Sequence, residues 1–381
     1  CVLGMVVRRE REIRNFVKTP FYRVLGSFQA TAKDGTPVLL DAEWKAVEGS
    51  KYFGTPYLYK ENGFKEREKA EELIAYLKEE PPLEAKVLSK EKKKETKNPP
   101  LLYNLAELQN DCSKMFKISP DETLKVVQEL YEKKLVTYPR TDARVLSTAV
   151  AKEIYKNING LMRYEPMAGF AKEAMDLGSF KGIAKTRYVN DKQITDHYAI
   201  IPTGQGMGNL RGLSPLSEKV YQVVCRRFLS IFYPAAIYQK YSLVLERKKE
   251  QFFASFKVLS EPGYLKVADV NLAKKSSIQE TFSDEKEGNS AQTDEKNAEI
   301  PKVDRTLLLQ VLADLKKNDI LTIADLKVKE GETSPPKRYT SGSMILAMEN
   351  AGQLIEDEEL RAQIKGSGIG TSATRAEILK K

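Results

Sequence analysis

The sequence predicts an α+β multidomain chain whose domains are inserted into one another. Three observations carry that prediction. The chain has 381 residues, enough for about two or three domains. It is 41% hydrophobic and 30% charged, an ordinary globular balance that allows real cores. The apolar periodicity also switches along the chain, in the order helix, β, helical block, β, helix. That order lets the first and last helical parts form one body and the two β parts another.

Each segment has its own signal. Val2, Val6, Arg9, Ile13, Phe16 and Val17 fall at helical spacing, and "KTP" ends that helix before residue 20. Residues 20–100 change character. "FYRVLGSFQATA", "TPVLLDAEW" and "TPYLYK" are short β-type runs, "KDG" suits a hairpin turn, and 63–78 return to helix. "KEKKKETKNPP", residues 90–100, reads as a solvated basic linker in preference to a phosphate-binding strip. Residues 101–235 are mostly helical, with Ser217 a plausible N-cap in "SPLSEKVYQVVCRRFLSIF". Residues 236–303 turn back to β through "IYQKYSLVLE", "QFFASFKVLS" and "GYLKVA", then enter a polar, low-complexity stretch near 273–299 that reads as a mobile loop. From 304 to 381 the pattern is helical again. There is no short-period repeat.

The net charge is +9, with 62 Lys+Arg against 53 Asp+Glu. That surplus favours a polyanionic partner, nucleic acid before membrane. No run approaches the ~18–20 apolar residues of a membrane span. The opening "CVLGMVVRRE" is apolar then basic, the reverse of a secretory signal. Cys1, Cys112 and Cys225 are few and far apart, which suits a reducing, cytoplasmic setting and no disulfide framework. With one histidine and no CxxC pair, a structural zinc site is not expected. Position 1 is not Met, and "TSATRAEILKK" stops inside a helical pattern, so the chain is expected to be part of a longer protein.

The chemistry concentrates at "LVTYPRTDARVL", residues 135–146. Ser119, Pro120, Asp121 and Glu122 form a capping box that starts a helix. Leu124, Val127, Leu130 and Tyr131 give that helix its apolar stripe, and Gln128 and Glu132 share another face. "LVTY" then reads as a short strand that Pro139 ends. Tyr138 therefore sits on a defined helix–strand corner. A phenol has a pKa near ~10, so attack on phosphorus at neutral pH needs help. In an extended chain Arg140 falls on the same side as Tyr138, and Asp142 one step further could orient the guanidinium. Taken alone, the same residues also describe a surface tyrosine beside an Arg–Asp pair.

The wider sequence favours the chemical reading. "ELYEKKLVTYPRTDARVL" resembles the nucleophile motif of type IA DNA topoisomerases, particularly the topoisomerase III branch. "GMVVRREREI", "NPPLLYNLAELQND", "TDHYAIIPTG", "SPPKRYTSGSMILAMENAG" and "KGSGIGTSATRAEIL" resemble further motifs of that family, in its order. The resemblance implies a helical core and a helical nucleophile domain joined by a β-rich gate domain in an arch. The gate would open to duplex width, with hinges where the chain crosses between β and helical parts. The resemblance also implies roles. Tyr138 would attack a single-stranded phosphodiester to give a 5′-phosphotyrosine link, and Arg140 would hold the phosphate. Gln128, Glu132 and Thr137 would support the site. Resealing would need no ATP. His197 would contact the phosphate or relay a proton, with Asp196 fixing its tautomer.

Other segments keep two readings. Arg8, Arg9, Arg11 and Arg14 form either a solvated face paired with Glu10 and Glu12 or a set of phosphate contacts; the resemblance favours Arg9. "PPKRYT" is an exposed turn or, through Lys337, Arg338 and its aromatic, a backbone grip with base stacking. "KGSGIGTSATR" is neither a P-loop nor a dinucleotide fingerprint. It is a helix connector, or a close backbone approach to DNA through Thr371, Thr374 and Arg375. The family also uses a Toprim domain, placed before the segment that begins this chain, whose acidic residues hold Mg²⁺. No D-x-D-x-[DE] occurs here, so no metal is expected on this chain. The implied partner is DNA, single-stranded where it is cut, with no membrane and a monomeric protein. One histidine rules out a paired-histidine relaxase and weakens a tyrosine recombinase. A non-catalytic single-strand-binding scaffold is the other class to exclude.

Overall fold

The computed structural model describes residues 2–268, 279–281, 305–354 and 368–380. The polar stretch expected as a loop at 273–299 lies outside the described residues except for 279–281, as do Cys1 and Lys365–Ser367.

Alternating apolar residues close a barrel. The strands are β1 (Pro20–Thr31), β2 (Pro37–Lys45), β3 (Leu58–Lys60), β4 (Gly63–Phe64), β5 (Glu84–Lys97), β6 (Ala236–Arg247), β7 (Glu250–Glu261), β8 (Gln279–Thr281) and β9 (Ile320–Glu332). The order β2-β7-β6-β5-β9-β1 returns to β2, so six antiparallel strands form a closed ring. The closing contact between β5 and β9 is short, Glu84–Lys86 against Ile320–Thr322, so both strands run on past it paired on one side. The "KDG" turn behaves as expected: Gly35 has φ +84, and Asp34 Oδ1 accepts from Thr36 N at 2.9 Å. Trp44, Phe28, Phe64, Phe252 and Phe256 fill the barrel core. Helices α2 (Arg67–Lys78) and α9 (Arg305–Asp314) add Leu73, Leu77, Leu308 and Leu312 to the same cluster.

Two expectations fail here. The basic run is no linker. Residues 86–97 pair with β6 along their length. Its lysines are strand residues, and some have side-chain partners: Lys90 Nζ donates to the carbonyls of Leu312 and Ala313 at 3.0 and 2.8 Å, and Lys92 lies 5.5 Å from the Tyr241 ring. Long apolar stems let charged heads stay wet while the backbone pairs. The helical reading from 304 also fails over β9. There Leu321 and Ile323 alternate inward, and after a register shift Leu326 is buried too.

The helical block has a core of its own, distinct from the barrel's. Its helices are α3 (Leu105–Phe116), α4 (Pro120–Glu132), α5 (Thr148–Leu161), α6 (Glu165–Leu177) and α7 (Pro215–Ser230). Helix α7 is capped by Ser214, whose side chain accepts from Ser217 N at 3.0 Å; Ser217 sits inside the first turn because Pro215 takes the first helical position. Among the described residues the further α-helices are α1 (Val2–Arg14), the short α8 (Leu265–Ala268), α10 (Ser341–Glu349) and α11 (Arg375–Ile378).

The ends of the chain do meet. Arg9 Nη1 donates to the Lys337 carbonyl at 2.5 Å, its guanidinium covers the Tyr339 ring at 4.4 Å, and Arg338 pairs with Glu10 at 2.7 Å. Residues 335–340 are therefore a docked segment on α1. Helix α10 packs on α3, where Gly342 lies so close that an added Cβ would stand 2.9 Å from Asn110 Cα.

Candidate active site

The corner that carries Tyr138 is built by local rules. Ser119 Oγ accepts from Glu122 N at 3.2 Å, and Glu122 returns the bond by accepting from Ser119 N at 2.8 Å. Such a cap is worth about 1 kcal/mol. Val127 and Leu130 bury as expected, each about 1.5–3 kcal/mol of transfer free energy. Tyr131 does not join them: it is 39% exposed, because α4 ends one residue later and its face opens outward. Lys134 then turns the chain with φ +60.

"LVTY" is an isolated bridge and not a full strand. Val136 pairs with Pro202, Thr137 N donates to the Ile201 carbonyl at 3.0 Å, and Thr203 N donates to the Leu135 carbonyl at 3.0 Å. Thr137 Oγ1 also donates to the Ala199 carbonyl at 3.0 Å. Thr141, which sequence reasoning passed over, is 4% exposed and donates through Oγ1 to the His197 carbonyl at 2.8 Å. This bond links the segment after the tyrosine to the histidine motif. A β-branched hydroxyl between Arg140 and Asp142 was its only sequence signal.

A cleft of about 520 Å³ opens at this corner. Glu132, Thr137, Tyr138 and His197 line it, and so do Tyr131, Lys134, Tyr198, Thr203 and Gln205. The Tyr138 ring meets His197 at 4.4 Å, tilted by 43°, and Tyr131 edge-on at 5.4 Å. Aromatic contacts of this kind hold ring orientation. Burial pushes the Tyr198 phenol above its ordinary value, which makes it a poor nucleophile. Gln128 Nε2 donates to Glu132 Oε1 at 3.1 Å, so the expected shared face holds and Gln128 braces the cleft wall.

Arg140 lies outside the cleft wall, half-buried, and makes no hydrogen bond or ion pair among the described residues. Asp142 does not orient it. Asp142 instead accepts from Arg375 Nη1 at 2.7 Å. Asp196 makes no bond to the His197 ring among the described residues, so it does not set the tautomer. Arg375 is 4% exposed and committed to Asp142. Next to that pair, Asn104 Nδ2 donates to Glu349 Oε1 at 2.6 Å. Burial holds the Glu349 carboxyl above its ordinary value, although Arg375 and the Asn104 bond pull it down. Thr371 N donates to Thr374 Oγ1 at 2.9 Å, so these residues bond within the turn that precedes a four-residue helix and do not cap it through their side chains. Arg11 is exposed and its side chain makes no bond among the described residues. Arg9, Lys337 and Arg338 form the separate contact on α1 described above.

The magnesium ion that the resemblance implies needs clustered carboxylates. Among the described residues, no group of three His, Cys, Asp or Glu side chains could hold an ion. The described residues do not fit that ion, and no step below passes through it. No helix among them is long and apolar enough to cross a membrane.

Comparison with known proteins agrees with this picture. A family model described as DNA topoisomerase matches residues 1–381. DNA topoisomerase 3 of Bacillus subtilis (strain 168) is 32% identical over 386 residues, covering 100% of this chain and 45% of that protein. DNA topoisomerase 3 of Bacillus licheniformis is 31% identical over 383 residues with the same coverage. The chain thus spans about half the length of these relatives. Full-length topoisomerase I from Thermotoga maritima has the same fold, with TM-score 0.59 and 21% identity, covering 100% of this chain and 49% of that one.

Proposed function

We propose, from the premise that this chain belongs to the type IA DNA topoisomerase family, that Tyr138 is the nucleophile of a reversible single-strand cleavage. The observation that carries this reading is the Tyr138 ring, packed at a tilt against His197 in an open cleft, on a segment bridged through Val136 to Pro202. Tyr138 Oη attacks the phosphorus of a single-stranded DNA phosphodiester. The P–O3′ bond breaks as the Oη–P bond forms, so a 5′-phosphotyrosine replaces a phosphodiester of similar energy. The phenol gives up its proton and the 3′ oxygen gains one. Religation is the reverse, and ATP is not needed.

Arg140 is half-buried with no partner among the described residues, which suits it to grip the phosphate. His197, exposed against the Tyr138 ring, suits a phosphate contact or proton relay. Strand passage requires the helical block to part from the rest of the molecule. The chain passes from barrel to helical block after Lys97 and back before Ala236, and it meets the helical core again where Tyr264 and Val267 follow β7, so the hinges belong at these crossings. The same reading has the enzyme act as a monomer on DNA in the cytoplasm. Cys112 and Cys225 are buried free thiols, as a reducing compartment permits. The isolated chain binds single strands and cleaves them poorly, since its described residues hold no carboxylate cluster for an ion.

The test is to incubate the full-length protein with labelled single-stranded DNA and Mg²⁺, then denature. A covalent adduct is expected, and Tyr138→Phe lowers it at least ~10⁴-fold. An adduct that persists in the Phe variant, or none from the parent, leaves the single-strand-binding scaffold as the reading. The second outcome would also fit the exposed basic residues Lys134 and Arg11.

A further inference from the structure

The cleft beside Tyr138 is larger than a phosphate needs, and much of its wall is unexplained by the attack on phosphorus. Its volume of about 520 Å³ falls within the ~300–1,000 Å³ of ordinary small-molecule sites. Two side chains on that wall, Lys134 and Gln205, have no role so far, and Tyr131 uses only the contact with the Tyr138 ring.

The loop that carries Gln205 is fixed from several sides. Gly204 has φ +73, and an added Cβ would stand 2.8 Å from the Asn157 carbonyl oxygen. Gly206 has φ +68, and its Cβ would stand 2.6 Å from the Lys133 carbonyl oxygen. Arg163 Nη2 donates to the Gly204 carbonyl at 3.1 Å, and Thr203 Oγ1 donates to the Lys134 carbonyl at 2.6 Å. Gln205 N in turn donates to Thr203 Oγ1 at 3.1 Å. Yet the Gln205 side chain is exposed and makes no hydrogen bond among the described residues. A rigid backbone thus presents a free amide, which both donates and accepts.

Opposite in chemistry, Tyr131 brings ring surface that is 39% exposed. Lys134 adds an exposed ammonium that makes no bond among the described residues. Glu132, braced by Gln128, puts a carboxylate in the same wall. A carboxylate there repels a phosphate deep in the cleft and accepts the amino groups of a base. An aromatic face, an amide, a carboxylate and an outer cation together match one nucleotide unit.

We infer that the cleft is a nucleotide subsite for single-stranded DNA: a base stacks on Tyr131, Gln205 meets its edge, and Lys134 holds a neighbouring phosphate. This rests on the proposed reading of Tyr138, because the occupant is the nucleotide whose 5′ phosphate that residue takes. Every wall group comes from one of two segments of the helical block that are bonded to each other through Thr137–Ile201 and Thr203–Leu135, so the subsite would keep hold of the cleaved end if that block moves.

Binding tests it without any cleavage. The full-length protein carrying Tyr138→Phe is titrated with 5′-phosphorylated tetrathymidylate and with the same oligonucleotide lacking its first base. The intact oligonucleotide is expected to bind about tenfold more tightly than the abasic one. Tyr131→Ala removes that difference, while Tyr131→Phe, which keeps the ring, retains it. Gln205→Ala brings the four possible first bases within about twofold of one another. Lys134→Ala lowers the salt dependence by about one counterion. Equal binding of the abasic oligonucleotide, or full affinity in Tyr131→Ala, overturns the subsite. Either result leaves the nucleophile assignment standing, since adduct formation tests that separately.

Discussion

At the Tyr138 corner, the side chains of Arg140 and Lys134 make no hydrogen bond or ion pair among the described residues. At the two junctions of the returning segment, the cations are bonded. Arg9 is held by Glu12, the Lys337 carbonyl and the Tyr339 ring; Arg338 pairs with Glu10; Arg375 pairs with Asp142. All these arginines lie in basic motifs that invite a phosphate. One region leaves its cations open to a ligand, and the other uses them to join parts of the chain. An arginine already bonded internally must lose that bond before gripping DNA, so it offers less net affinity.

The contrast can be broken by experiment. Arg140→Ala should lower adduct formation by the full-length protein about 10²–10³-fold while leaving the denaturation midpoint unchanged, since the guanidinium has no intramolecular partner to lose. A fall in stability would put Arg140 in the joining class. Arg375→Ala should do the reverse. It removes a 5%-exposed side chain from a partner that is 51% exposed, at a cost of about 1–3 kcal/mol read by denaturant unfolding. Loss of single-strand affinity with no loss of stability would move Arg375 to the open class.

A smaller effect concerns pH. The Glu349 carboxyl is raised above 4.5, first by burial, against the pull of Arg375. Its contribution to stability is fully present below the unfolded carboxylate value and is lost as pH rises through the higher folded value. Glu349→Gln should therefore flatten the pH dependence of the unfolding midpoint just above 4.5; an unchanged slope would remove Glu349 from that junction. The smallest effect is expected at Arg338, which is 70% exposed. Arg338→Ala should leave single-strand affinity within about twofold, measured by titration at fixed salt.

Much of the corner was legible residue by residue. Ser119 and Glu122 announce the cap, Val127 and Leu130 the buried stripe, and Gln128 and Glu132 their common face, because these are contacts within one helix turn. Tyr131 falls in the apolar stripe by spacing yet lies exposed, since periodicity reports spacing and not where a helix ends. The lysines of β5 were misread as linker for a related reason: composition suggests solvation, whereas β6 supplies a backbone partner that no local signal reveals. The inward alternation of Leu321 and Ile323 was present, and β9 could have been found from it.

What the sequence determined by itself was therefore local or motif-borne: the helix caps, the hairpin turn, the order of helical and β segments, and the tyrosine with its neighbouring arginine. The tertiary structure alone decided which charges remain open. Asp142 lies two residues from Arg140 yet bonds Arg375, which is 233 positions away. Ring closure of the barrel, the tilted contact of Tyr138 with His197 and the exposure of Gln205 are likewise long-range outcomes. Such pairings follow from which surfaces the folded chain brings together, and spacing along the chain carries no record of that.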